Sequence, residues 1–276
     1  MPGLRRRLRL LLTLLGLFLL TQLVWWTEPS ALFGVLEWLA PNVVWRVHTS
    51  EPVVALSFDD GPHPIHTPRV LKMLGEHGAH ATFFLIGERA AAHPELVAAI
   101  KAGEHEVGNH YLQRGTTLAD SRAAFGEKLA RAERIISVED PKLFRPPGGV
   151  AWPWQLREAQ ERGYFCVLGS AYPHDPDHPP ARYIEWLVKK NMVPGAIVIL
   201  HDGISDPSRS IQALPGILAE GRRRGIRFIT IGELLKGRAR PPNNAMQLTR
   251  GGWKRVEASW LARSSWARAG SCAPRS

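Results

Sequence analysis

Two adjacent carboxylates, Asp59 and Asp60, close the run Val53-Val54-Ala55-Leu56-Ser57-Phe58 and are followed at once by Gly61-Pro62. A short apolar run with β-branched residues predicts a buried strand, and Gly-Pro stops it. Neighbouring side chains on a strand leave on opposite faces, so both acids reach one site only if the backbone turns beneath them. Two carboxylates so placed could divide metal ligation and proton transfer between them, although Asp-Gly and Gly-Pro are also common turn dipeptides. Later strand ends decide between site and turn. His110 follows Val107, Arg145 follows Phe144, His174 and Asp175 follow Leu168, and His201-Asp202 follow the Ile197–Leu200 run. In a parallel barrel the C-terminal ends of the strands share one face, and charged or imidazole groups at all of them point to a site.

The elements that position these residues alternate. Helices are predicted over 67–77, 94–102, 118–138, 154–162, 181–191 and 210–224, with a last turn over 232–235. Between them lie strand-like runs at 81–87, 105–109, 142–144, 164–168, 196–200 and 227–230. Repeated strand–helix units imply right-handed crossovers and a parallel sheet. Six or seven units predict an α/β fold, a compact (β/α) barrel of about seven strands. No glycine-rich phosphate loop follows the first strand, which argues against a nucleotide.

The net charge of +10 belongs to the ends of the chain. Of the 35 basic residues twelve lie before Leu10 or after Lys236, leaving 23 against 24 acids in residues 10–236, so nucleic acid is not an expected partner. Residues 1–9 read as a basic cytoplasmic segment and 10–26, Leu-rich and ending in Trp25-Trp26, as a transmembrane anchor. A cleaved signal peptide is the competing expectation, but no small-x-small site follows. Either way the rest of the chain is exported: a linker or interfacial segment at 27–50, the main domain at 51–236, and a basic, disordered tail at 237–276. Cys166 and Cys272 make no disulfide framework.

Residues 51–236 resemble the polysaccharide deacetylases, the NodB-homology group or carbohydrate esterase family four. Ser57-Phe58-Asp59-Asp60-Gly61-Pro62 is similar to the first motif of that family, Gly108-Asn109-His110 to the start of the second, Arg145-Pro146-Pro147-Gly148 to the third and Leu200-His201-Asp202 to the fifth. The resemblance implies a distorted (β/α) barrel and a divalent metal, often zinc. It also implies hydrolysis of N- or O-acetyl groups on chitin, peptidoglycan or a related polysaccharide. Carried over by position, Asp59 would be the general base, Asp60 and His110 metal ligands, Arg145 the residue that holds and orients Asp59, and His201 the general acid. Leu200 would shape the acetyl pocket, with Pro147 and Gly148 on the substrate side and a backbone N–H near Gly148 at the oxyanion.

Three positions depart from the family pattern. Arg114 stands where the second motif places a further His, and a cation cannot ligate a metal. Gly148 replaces an aromatic, and Tyr172-Pro173-His174-Asp175-Pro176 replaces the usual Asp-x-x-Asp-Trp. His174 or Asp175 is therefore expected to supply the missing ligand. His63 and His66 are expected on the cleft rim. A glycan binder without turnover, and an amidase or phosphoester hydrolase on the same fold, are the alternative functions.

Overall fold

The computed structural model describes residues 2–204, 208–236, 246–249 and 252–255. Its Leu-rich start forms α1 (Pro2–Thr27), within which Leu10–Thr27 is long and apolar enough to cross a bilayer and is unburied along its length. At 1.5 Å per residue those residues span about 27 Å, close to the roughly 30 Å of a hydrocarbon core. A second helix, α2 (Ser30–Leu39), follows directly, then the two-residue strand β1 (Val43–Val44). β1 was not visible in the sequence, because two valines carry no period. It pairs in parallel with the strand Phe165–Val167, so part of the 27–50 segment packs as sheet.

The central element is β2 (Val53–Gly61), buried along almost all its length. After it come α3 (His66–Glu76), β3 (Ala81–Leu85), α4 (Gly87–Ala92), α5 (Pro94–Ala102), β4 (Glu106–Asn109), α6 (Arg122–Ile136) and β5 (Leu143–Phe144). Then follow α7 (Pro153–Glu161), β6 (Phe165–Val167), α8 (Ala181–Asn191), β7 (Ile197–His201), α9 (Ser208–Arg223), β8 (Arg227–Ile229) and α10 (Ile231–Lys236). α6 starts four residues later than its apolar pattern predicts. Ser121 caps it by accepting from the Ala124 N–H, and Asp120 is drawn instead to the Tyr111 hydroxyl at 2.6 Å and to Lys128 at 2.6 Å.

The strands are parallel in the order β1-β6-β5-β4-β3-β2-β7, and β8 pairs with the start of β2. A parallel bridge between Ala171 and Val198 brings the chain after β6 against β7 and completes a distorted barrel. The main core fills with Leu56, Phe58, Phe83, Leu85, Val198 and Leu200, all at or near zero exposure, and the Phe58 and Phe83 rings stack at 5.2 Å. Register carries the functional consequence: Asp59 lies opposite His201, Leu85 opposite Asn109, and Asn109 opposite Phe144. The strand ends that hold Asp59, His110, Arg145 and His201 are thereby level.

Of the expected tail, only 246–249 and 252–255 are among the described residues. Met246–Thr249 and Gly252–Arg255 form an antiparallel two-stranded sheet within a separate unit that begins at Arg238. The alternation Met-Gln-Leu-Thr suits a strand. The remainder of 237–276 lies outside the described residues.

Candidate active site

Asp59 and Arg145 form a buried ion pair at the end of β2, with Arg145 Nη1 donating to Asp59 Oδ1 at 2.5 Å. The same Nη1 donates to Ser57 Oγ at 2.8 Å, and the Ser57 hydroxyl in turn donates to the Val198 carbonyl at 2.7 Å. Arg145 Nε and Nη2 reach the Val167 and Leu168 carbonyls at 3.3 and 3.2 Å, and the guanidinium lies 4.0 Å over the Phe84 ring. Burial pulls this guanidinium below its ordinary pKa, and Asp59 pushes it back up. A planar fork with donors in several directions is what so many fixed acceptors require, and lysine could not reproduce it.

The backbone turns at Asp60, which has φ 67°, and the β2–β3 register shifts between Asp59 and Gly61. This left-handed residue is how two consecutive acids come to face one site. The turn is held from below: Arg89 Nη1 donates to the Asp60 carbonyl at 2.7 Å and also to the Gly203 carbonyl. Gly203 sits so close that an added Cβ would lie 1.9 Å from the Asp60 carbonyl oxygen. Gly203→Ala is expected to lower stability by about 1–3 kcal/mol through overpacking and to depress activity by displacing Asp60. Denaturation midpoints and steady-state rates check both.

Asp60 Oδ1 lies 3.5 Å from His110 Nε2. The other ring nitrogen, Nδ1, is 2.9 Å from the Arg145 carbonyl. With Nδ1–H donating there, Nε2 faces the carboxylate, and either an Nε2–H bonded to Asp60 or a cation between the two satisfies both groups. Burial alone would raise the Asp60 pKa, but the hydrogen bond and charge of His110, then the charges of His201 and Arg114, bring it down to about 2. Asn109 braces this strand end: its side chain donates to the Leu129 carbonyl and the Tyr164 hydroxyl and accepts from the Tyr111 N–H.

His201 ends β7 and is held from behind by Asp175. His201 Nδ1 is 2.9 Å from Asp175 Oδ1, and Asp175 Oδ2 accepts from the His201 N–H at 2.8 Å and from Ser210 at 2.6 Å. Burial opposes a charged imidazole. Asp175, by charge and hydrogen bond, with the charges of Asp59 and Asp60, outweighs it and raises the His201 pKa to about 9.

These contacts correct the expectation for the third metal ligand. Both Asp175 oxygens are committed to His201 and Ser210. His174, left-handed at φ 53°, turns the other way, its Nε2 3.1 Å from the Trp25 carbonyl and its ring packed among Trp25, Trp26 and Tyr172. Among the described residues no group of three or more His, Cys, Asp or Glu side chains is placed to hold a metal ion. Asp60 and His110 thus fit a cation as a two-donor seat, one donor short of the usual catalytic zinc site. Arg114, where the family pattern has its second His, is exposed and helps lower Asp60 by charge.

Leu200 is also corrected: it is fully buried in the core and offers no exposed wall to an acetyl group. Pro147 is buried, and Gly148 is exposed at φ 66° with open space beside it. His63 lies just before α3, its Nδ1 accepting from the Ile65 and His66 N–H groups. The sequence places Asp202 at a strand end and in the stretch similar to the fifth motif, without a role of its own. It is fully buried, takes the Thr67 hydroxyl on Oδ2 and lies against Gly61, and burial pushes its carboxyl up to about 7.

Comparison with known proteins places this arrangement. The polysaccharide deacetylase profile matches residues 46–167. A peptidoglycan-N-acetylglucosamine deacetylase of Bacillus cereus is 39% identical over 198 residues, covering 70% of this chain and 93% of that protein. The chain belongs to the polysaccharide deacetylase family. Among solved structures of the family, a peptidoglycan N-acetylglucosamine deacetylase in complex with a naphthalenyl N-oxidanyl-benzamide superposes with a TM-score of 0.68 at 28% identity, covering 72% of this chain and 95% of that one. A family 4 acetyl xylan esterase from Clostridium thermocellum, in complex with a cobalt ion, superposes with a TM-score of 0.61 at 29% identity, covering 68% and 93%. The distorted parallel barrel is therefore that of the carbohydrate esterase family four hydrolases.

Proposed function

We propose that this chain is a membrane-anchored deacetylase that removes N- or O-acetyl groups from an extracytoplasmic polysaccharide of the chitin or peptidoglycan kind. One observation carries the proposal: Asp59 and His201 stand opposite each other on adjacent strand ends, each fixed by its own buried partner, Arg145 and Asp175. A water between them can lose a proton to Asp59 as it attacks the acetyl carbon. His201, protonated below about pH 9, then gives its proton to the departing amine or alcohol. Both proton carriers are buried and need no reorganisation during the step.

Asp60 and His110 would hold a divalent metal, zinc being the one the family resemblance suggests. When bound it would polarise the acetyl carbonyl and acidify water. Two protein donors beside the cationic Arg114 hold such an ion weakly. Arg114→His is expected to restore a third donor and tighten metal binding by about tenfold or more. Metal analysis after dialysis reads this directly, and equal metal content in both proteins would refute it.

The single-pass anchor, α1, is supported by the length and exposure of Leu10–Thr27. Acetate release from acetylated chito-oligosaccharides, with and without a chelator, tests the proposal. Release should occur, weaken with chelator and return with added zinc, and folded protein that releases none under any of these conditions would reject it. Arg114 is the feature that favours binding without turnover. The retention of both a held base and a held acid favours catalysis.

A further inference from the structure

The C-terminal end of α1 is seated on the main domain rather than hanging free. Tyr183 Oη, on α8, donates to the Trp26 carbonyl at 2.7 Å, and Lys190 Nζ, at the far end of α8, donates to the Thr27 carbonyl. Glu28 is buried and accepts from the Tyr172 N–H at 2.8 Å, while Trp26 packs edge-on against Tyr183 at 5.6 Å. Thr27 is the last residue of the apolar span, so these contacts fix where α8 stands relative to the end of the span.

Beside that seat is a cavity of about 450 Å³ lined by Arg182, Glu185, Trp186, Lys189, Lys190 and Arg224. Four cations and one carboxylate line it. Lys189 is paired with Glu185, Arg224 with Glu220, and Lys190 lies 5.6 Å from the Trp186 ring. Arg182 is exposed and has no carboxylate partner among the described residues. A second element points the same way: α2, two residues beyond Glu28, exposes Val35, Trp38 and Leu39 at 53%, 79% and 63%. An exposed apolar strip with a Trp, directly after a span, suits the interfacial layer of a bilayer.

We propose that the Arg182–Lys189–Lys190–Arg224 pocket binds the phosphate of an anionic membrane lipid, so that this face of the domain rests on the bilayer surface. The guanidinium forks of Arg182 and Arg224 suit phosphate oxygens, and basic side chains next to a span are drawn to anionic headgroups. The proposal rests on α1 being a span, not on the deacetylase reaction. Because Tyr172 touches both Glu28 and, ring to ring at 6.1 Å, His201, the site stands close to that surface.

The test uses the full-length chain in neutral detergent, titrated with phosphatidylglycerol, phosphatidylcholine or inorganic phosphate, with lipid retained per chain read by native mass spectrometry. Phosphatidylglycerol should be retained about tenfold more strongly than phosphatidylcholine, and Arg182→Gln with Arg224→Gln should remove about the same factor without moving the thermal midpoint. Should the double variant fold poorly, Arg182→Gln alone is expected to show part of the loss. Equal retention of the two lipids, or phosphatidylglycerol retention unchanged by both variants, would overturn the proposal. Displacement of the lipid by equimolar inorganic phosphate would also overturn it, making the free ion the ligand. Protease accessibility of α1 in sealed vesicles checks the span, and an accessible α1 likewise overturns the proposal. None of these readouts depends on acetate release, so they fail or succeed apart from the deacetylase proposal.

Discussion

Asp59→Asn is expected to lower acetate release by about 10²–10⁴-fold, the usual worth of a positioned general base. It is also expected to cost stability. The amide can still accept from Arg145 Nη1, but a guanidinium that is 1% exposed loses its only carboxylate partner among the described residues. Removing one member of a buried ion pair costs about 3–5 kcal/mol, because the remaining charge stays out of water uncompensated. The lower end applies here, since Ser57 and the carbonyls of Val167 and Leu168 still accept from the guanidinium. The two effects can be separated. Asp59→Asn combined with Arg145→Met removes both charges, and should recover part of the stability while recovering none of the activity. Denaturant midpoints and acetate release, measured on all three proteins, check both halves. Activity within tenfold of wild type in folded Asp59→Asn would exclude Asp59 as the base.

His201 should set the alkaline limit of the reaction. Its folded pKa is raised to about 9 from the ordinary 6.5, so the acid form is present at neutral pH and is lost as pH rises through about 9. His201→Ala is expected to reduce kcat by about 10²–10⁴-fold across the range. Asp175→Asn is more diagnostic: it keeps a hydrogen-bonding side chain beside Nδ1 and removes the charge, so the alkaline limb should move from near pH 9 towards roughly 6.5. The same raised pKa links to folding. The pair stabilises the folded chain fully below about 6.5 and loses that contribution as pH approaches 9. A limb that stays near pH 9 in Asp175→Asn would place its origin elsewhere.

Asp59 and His201 were legible because each follows an apolar β-branched run of the kind a parallel sheet needs, whereas His110 and Arg145 follow only Glu106-Val107-Gly108-Asn109 and Lys142-Leu143-Phe144 and were placed by the alternation of strands with helices. The turn that lets Asp60 join Asp59 was foreseeable as a requirement, and its φ of 67° meets that requirement. Asp175 was misread because its partners, His201 and Ser210, lie 26 and 35 residues away and meet it only once the chain after β6 crosses to β7. His174 was misread for a related reason: its neighbours are the tryptophans of α1, about 150 residues earlier, and no local pattern reports such a contact. Leu200 followed a family role, whereas the strand alternation that sends His201 to the site sends Leu200 into the core.

The most direct measurement follows binding and turnover together, on the full-length wild-type chain supplied with zinc and an acetylated chito-oligosaccharide. Hydrolysis by the Asp59–His201 pair predicts one acetate and one free amine per event, at a rate whose alkaline limb falls as pH passes about 9. Saturable binding of the oligosaccharide by folded protein, with no acetate and no new amine, would contradict catalysis and identify a glycan-binding protein instead.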